Sequence, residues 1–193
     1  MRLVVVDATV FLAVMKNNKT NIKTNIKTNI NMNMNNNLDT DIKYMKEALK
    51  EAQKAYLKKE IPVGAVIVYQ DKIIARAYNT RVSEKQVFTH AEIKAINKAC
   101  KKLNSWILED CTIYVTLEPC LMCTGALLQS RIKRIVFAAN EPKHGVIESI
   151  DNVLDNPKFN HHIEITGGVL KEESSTMLKN FFHELRQNKQ HMI

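Results

Sequence analysis

Residues Cys111 to Cys123 read Cys-Thr-Ile-Tyr-Val-Thr-Leu-Glu-Pro-Cys-Leu-Met-Cys. The β-branched run from Cys111 to Leu117 predicts a strand. Glu118-Pro119 halts it, because proline has no N–H for a sheet ladder. The apolar segment beyond predicts a helix from about Cys120 to Ser130. Two cysteines three residues apart at a helix start present their sulfurs on one side of the first turn. Free N–H groups and the positive end of the helix dipole favour thiolates there. Taken alone, such a pair is either a redox dithiol or half of a zinc site.

A second helix start bears on that choice. In Thr89-His90-Ala91-Glu92-Ile93-Lys94-Ala95-Ile96, the apolar spacing predicts a helix from Ala91 to about Leu103. His90 opens it directly after a polar loop. One imidazole and two thiolates leave a tetrahedral position free, as in catalytic rather than structural zinc sites. A zinc-bound water there would ionise near neutral pH. Glu92, one residue past the histidine, is the candidate proton shuttle, and the small Ala91 would let a substrate approach the backbone. A single histidine or glutamate in a first turn is ordinarily a cap or a dipole partner. The combination His-x-Glu with Pro-Cys-x-x-Cys about 30 residues on is much rarer, and is the signature of zinc nucleobase deaminases. Cys100 and Cys111 lie outside it and read as small buried hydrophobes.

The remaining pattern alternates strands and helices. Ile42, Met45, Leu49, Ala52 and Tyr56 mark an amphipathic helix that Asp39, Thr40 or Asp41 can cap. Pro62–Tyr69 and Ile73–Tyr78 predict a hairpin around Gln70-Asp71-Lys72. Further strands are expected at Arg134–Ala139 and Ile163–Leu170, with a short helical piece near Val153 between them. Met177, Leu178, Phe181, Phe182 and Leu185 form one stripe of a last helix. This order indicates an α/β layered domain.

The chain has 193 residues and a formal charge of +8. Residues 1–40 hold five basic and two acidic side chains, so the basic excess extends beyond them. Such a charge suits a polyanionic partner without requiring one. Residues 17–37 are a decaying Thr-Asn-Ile-Lys repeat with few apolar groups, and are expected to be disordered. Their lysines could form an RNA-contacting arm, or a start at Met32, Met34 or Met45 would omit the repeat. The expected organisation is an extension over residues 1–39 and a catalytic domain over 40–193. The apolar run Leu3–Met15 is too short to span a bilayer and lacks a small-residue cleavage site. A cytoplasmic protein with reduced thiols and no membrane association is expected.

From Asp41 to about Arg186 the chain resembles the bacterial tRNA-specific adenosine deaminase family. The likeness is carried by Pro-Val-Gly-Ala-Val-Ile-Val, Asn79, His-Ala-Glu-Ile, Tyr114 through Ile132, Arg-Ile-Val-Phe-Ala-Ala, Pro-Lys-His-Gly and the late Phe-Phe pair. The resemblance implies a three-layer cytidine-deaminase-like fold, with a mixed five-stranded sheet between helices, assembled as a homodimer. It implies one Zn²⁺ per subunit on His90, Cys120 and Cys123, with Glu92 as proton shuttle. It implies inosine formation at the wobble position of an arginine tRNA, with the anticodon stem-loop as partner. Asn79 would hydrogen-bond the flipped base. Lys143, Asn160 and Arg186 are candidate RNA contacts, and of Phe181 and Phe182 one would line the RNA path and one the core. The chain departs from the family at His183, Glu184 and Leu185, where arginine is commoner, and at Glu141, where aspartate is usual.

Three other readings use the same residues. A free-base or nucleotide deaminase acting on guanine, cytosine or deoxycytidylate would share the zinc site. A zinc-stabilised RNA-binding subunit would leave Glu92 without a task. A dithiol oxidoreductase would leave both His90 and Glu92 unexplained.

Overall fold

The computed structural model describes residues 37–190. Apart from its last three residues, the extension expected over 1–39 lies outside them. The described residues from Asp41 onward form a compact unit. Helix α1, residues 37–57, comes first in the described order. The expected caps Asp39, Thr40 and Asp41 sit within this helix, not before it. Buried Asp41 instead accepts two hydrogen bonds from the Arg134 guanidinium, at 2.8 and 2.7 Å, and one from the Tyr114 hydroxyl at 2.9 Å.

Strands β1 (Gly64–Tyr69) and β2 (Lys72–Tyr78) form the hairpin. Its turn is the pair Gln70-Asp71, both at positive φ (47° and 57°), so Lys72 already belongs to the strand. Two successive left-handed residues give the turn a twist that matches its strands. A short helix α2 (Arg81–Glu84) leads to α3 (Ala91–Leu103), then β3 (Cys111–Leu117), α4 (Leu121–Gln129) and β4 (Arg134–Ala139). After a 3₁₀ turn at Val153–Asp155 come β5 (Glu164–Thr166) and α5 (Lys171–Gln190).

The strands form one sheet in the order β2-β1-β3-β4-β5. The pairs β1–β2 and β1–β3 are antiparallel, while β3–β4 and β4–β5 are parallel. The expected mixed five-stranded sheet is therefore present. Its alternation builds two cores. Ala65, Ile67, Ile113, Val115, Ile135 and Phe137 point to the face covered by α3 and α4. Val66, Val68, Tyr114, Val136 and Ala138 point to the face covered by Tyr44, Met45 and Ala48 of α1. On that same face, the Ser174 hydroxyl of α5 donates to the Thr116 carbonyl at 2.5 Å.

Strand β5 is shorter than the expected Ile163–Leu170. Gly167-Gly168 interrupt it, and Gly168 (φ 86°) and Leu170 (φ 57°) turn the chain into α5. A side chain at Gly167 would stand 2.7 Å from the Phe137 ring, so the close approach of β5's end to the core requires glycine there.

Candidate active site

Two helix starts meet at the carboxyl end of β3. His90 is the N-cap of α3 (φ −66°, ψ 152°) and Cys120 the N-cap of α4 (φ −76°, ψ 171°), both in extended conformation. The Pro119 break places Cys120 against the loop after β4, where it forms an isolated bridge with Gly145. Cys123 lies one turn into α4 and is fully buried. Its Sγ is 3.5 Å from His90 Nδ1, and Cys120 Sγ is 3.8 Å from the same atom. Among the described residues these three form the one cluster able to hold a metal, its donor atoms all within 4.8 Å of one another.

The donor set fits a metal. Bond lengths of about 2.05 Å to nitrogen and 2.3 Å to sulfur at a tetrahedral centre require N···S separations of about 3.6 Å. The two separations here bracket that value. The sulfur electrostatics agree. The hydrogen bond from Cys123, reinforced by His90, outweighs burial and pulls the Cys120 thiol down to about 4. Cys123 is pushed up by giving that bond and by its burial. His90 is held above its ordinary value, chiefly by its bond to Cys120. A cation at this point would replace the shared protons and leave both sulfurs as thiolates.

Glu92 lies in the first turn of α3, 4% exposed, and its Oε2 is buried with no hydrogen-bond partner. Burial is the main cause that raises its pKa. An orphaned carboxylate oxygen next to three metal-type donors is costly to maintain unless something else binds there.

His90, Glu92 and Cys120 line the floor of a cavity of about 830 Å³. Asn79, just past the end of β2 and 5% exposed, lines it too. One wall is the loop after β4, including Lys143 and His144. The other is a stripe of α5: Ser175, Leu178, Lys179, Phe182 and Arg186. The structure separates the two phenylalanines. Phe181 is buried, its ring 5.6 Å from Tyr56 in an edge contact, whereas Phe182 is 38% exposed and lines the cavity.

Three of the expected substrate contacts do not reach the cavity. Phe181 belongs to the packing between α1 and α5. Ala91 is fully buried in the core under α3, because N1 of that helix faces the sheet. Asn160 is exposed in the loop before β5, outside the cavity lining. Cys111 is buried as expected, its thiol pushed up to about 11 by burial, while Cys100 is only half-buried against the same core.

Two features escaped the sequence reading. Lys179 falls on the 4-3-4 spacing Ser175, Lys179, Phe182, Arg186, the face of α5 that lines the cavity. Glu118, 2% exposed, uses its carboxylate to gather the loop after β4. It accepts from the amides of Glu141 (3.0 Å), Ile147 (3.1 Å), Glu148 (2.7 Å) and Ser149 (3.0 Å), and from the Ser149 hydroxyl. Burial alone would raise the Glu118 carboxyl, but these bonds outweigh it and hold the group below the usual carboxylate range. Among the family departures, Glu184 accepts from the Tyr56 hydroxyl at 2.7 Å, and Glu141 accepts from the Lys143 amide at 3.0 Å.

A mixed sheet that brings a His-x-Glu helix start to a Cys-x-x-Cys helix start defines a deaminase. The family model of the MafB19-like deaminases matches residues 39–186. The chain is 51% identical over 137 residues to the tRNA-specific adenosine deaminase of Bacillus subtilis, covering 71% of this chain and 85% of that protein. It is 46% identical over 136 residues to the enzyme of the same name from Aquifex aeolicus, covering 70% and 89%. A solved structure from studies of A-to-I editing by tRNA:A34 deaminases at the wobble position superposes with a TM-score of 0.67 at 38% identity, covering 69% of this chain and 97% of that one. The chain belongs to the tRNA-specific adenosine deaminase family.

Proposed function

We propose that this chain hydrolyses the wobble adenosine of a tRNA anticodon loop, arginine tRNA foremost, to inosine and ammonia. One observation carries the chemistry: the partnerless Glu92 Oε2 on the floor of a cavity wide enough for a nucleobase, beside His90, Cys120 and Cys123. Those three residues hold a Zn²⁺, which when bound supplies Lewis-acid activation of a water. Glu92 takes a proton from the attacking water and passes it to N1 of the adenine ring. The C6–O bond forms, the C6–N6 bond breaks, and a further proton carried by Glu92 leaves with the amino nitrogen as ammonia. A carboxyl group beside the reacting atoms can both accept a proton and return it within one turnover. Asn79 orients the flipped base, and Phe182 offers it a stacking surface.

The chain works as a homodimer in the cytoplasm, where its tRNA substrate is found. Large exposed apolar side chains, among them Leu57, Val82, Phe88, Trp106 and Leu121, supply area for a subunit contact. Among the described residues no helix is long and apolar enough to cross a membrane.

The test uses zinc-loaded protein and an unmodified arginine tRNA transcript with an ACG anticodon, the wobble base being read by reverse transcription as guanosine where inosine has formed. Conversion confined to that base is expected. Glu92→Ala should retain one zinc per chain and lose turnover by at least about 10²-fold. Retained turnover in Glu92→Ala would remove the shuttle assignment. Absent conversion by zinc-loaded wild-type protein would overturn the substrate.

A further inference from the structure

One buried charge lies outside the chemistry described so far. Glu60, in the turn between α1 and β1, is fully buried. Among the described residues it forms no ion pair with any lysine, arginine or histidine. Its carboxylate is satisfied by N–H groups alone. Oε1 accepts from the Ser83 amide at 2.6 Å, and Oε2 accepts from the Val82 amide at 3.0 Å and from Asn79 Nδ2 at 3.4 Å. The backbone on either side is fixed as well, by Glu60 N–H to the Ala55 carbonyl and Asn79 N–H to the Val63 carbonyl, both 3.0 Å.

A side-chain amide is nearly symmetric in shape, and packing alone does not decide which end faces which way. An acceptor-only carboxylate does decide it. The nitrogen end of Asn79 must face Glu60, because the oxygen end would meet a negative charge. The second hydrogen of Nδ2 and the Oδ1 acceptor then remain for the cavity that Asn79 lines. The same carboxylate holds the first turn of α2, whose Arg81 is part of the cavity wall. A buried, unpaired carboxylate is a costly way to tie down a turn. A neutral glutamine could also accept from these amides, but its own NH₂ end could turn toward Asn79 and leave the orientation of both amides open.

We infer that Glu60 is a positioning residue for the deamination: it fixes the orientation of the Asn79 amide and thereby the donor–acceptor pattern shown to the base. The inference rests on the adenosine reading above for its kinetic consequence, and on geometry alone for the amide orientation. The kinetic experiment is a double-mutant cycle on the ACG-anticodon arginine tRNA with wild type, Glu60→Gln, Asn79→Ala and the double variant. Glu60→Gln is expected to lower kcat/KM about tenfold in the wild-type background, the loss of one oriented hydrogen bond to substrate, and less than twofold in the Asn79→Ala background. An equal loss in both backgrounds, or no loss in the first, would overturn the inference, because Glu60 would then act elsewhere or only on folding.

A second readout needs neither substrate nor variant. In ¹H–¹⁵N spectra of the wild-type protein, the Asn79 side-chain amide should give two resolved hydrogens, one of them protected from solvent exchange. Two rapidly exchanging hydrogens would refute the fixed orientation even if Glu60→Gln failed to fold. If the wild-type chain converted no tRNA adenosine, the substrate reading would fail while the spectra still decided the role of Glu60.

Discussion

Individual side chains settle the division between core and site in α5. Phe181 and Phe182 are adjacent, so a helix points them about 100° apart. One ring packs on Tyr56 and is 7% exposed, and the other meets the cavity. Their rings also meet edge-on, 5.5 Å apart, but the main effect of each substitution should differ. Phe181→Ala removes a buried aromatic ring and is expected to cost about 3 kcal/mol in urea unfolding, with KM for tRNA little changed. Phe182→Ala is expected to leave stability within about 1 kcal/mol of wild type and to raise KM about tenfold, the loss of one stacked base. The reverse pattern would exchange their roles. The sequence showed that the pair would divide but not how, because the helix's rotation is fixed by tertiary contacts with Tyr56 and with strands β3 and β4, all far from it in sequence. His90, Glu92, Cys120 and Cys123 were legible for the opposite reason. Their chemistry is local, each sits at the N-cap or in the first turn of its helix, and their spacing is the signal. Ala91 and Asn160 lie outside the cavity lining, because only the packed fold fixes which residues face the cavity.

At the scale of elements, the loop after β4 shows what a linear reading does not reach. Its shape comes from outside itself, from the Glu118 carboxylate at the end of β3. Gly145 is part of that arrangement, since a Cβ there would collide with the Glu118 carboxylate and lie 2.7 Å from the Glu141 carbonyl. Glu118 therefore links the Cys120 helix start to the wall that carries Lys143 and His144. Glu118→Gln replaces an acceptor pair with one acceptor and one donor against four amides. It is expected to speed hydrogen exchange at Ile147, Glu148 and Ser149 by about tenfold, with amides of β3 unchanged. Gly145→Ala should produce the same local signature without touching a charge. Uniform acceleration throughout the sheet would instead mean that Glu118 acts on global stability. The sequence offered only the halt of a strand at Glu118-Pro119, because a carboxylate that organises a loop 23 to 31 residues away leaves no periodic trace. The hairpin, the central strands and α3 were legible from alternation and spacing. The β5 boundary was not, since its residues favour a strand and two glycines override them.

Across the whole molecule the question is how a small cavity selects a base held within a large polyanion. Its mouth carries Arg81, Lys143, Lys179 and Arg186, from α2, the loop after β4 and α5. All four are exposed, and none has an ion-pair partner among the described residues. They line the same cavity as Glu92, His90 and Cys120, and their exposure puts the positive charge at the rim, where phosphates flanking an inserted base would pass. The net charge of +8 alone could not place this footprint, since basic residues are spread along the chain. The spatial grouping makes a quantitative claim. If the four cations each neutralise one phosphate of a single-stranded loop, log Kd for an anticodon stem-loop should rise with log salt at a slope of about 3. Lys179→Ala should lower that slope by about 0.7 and weaken binding by a similar factor for any loop sequence, because a phosphate contact carries no base information. Asn79→Ala should leave the slope untouched and reduce the preference for adenosine over other bases at the target position. A slope near zero, with activity on free adenine, would mark the rim charges as ordinary solvated surface and the cavity as a free-base site.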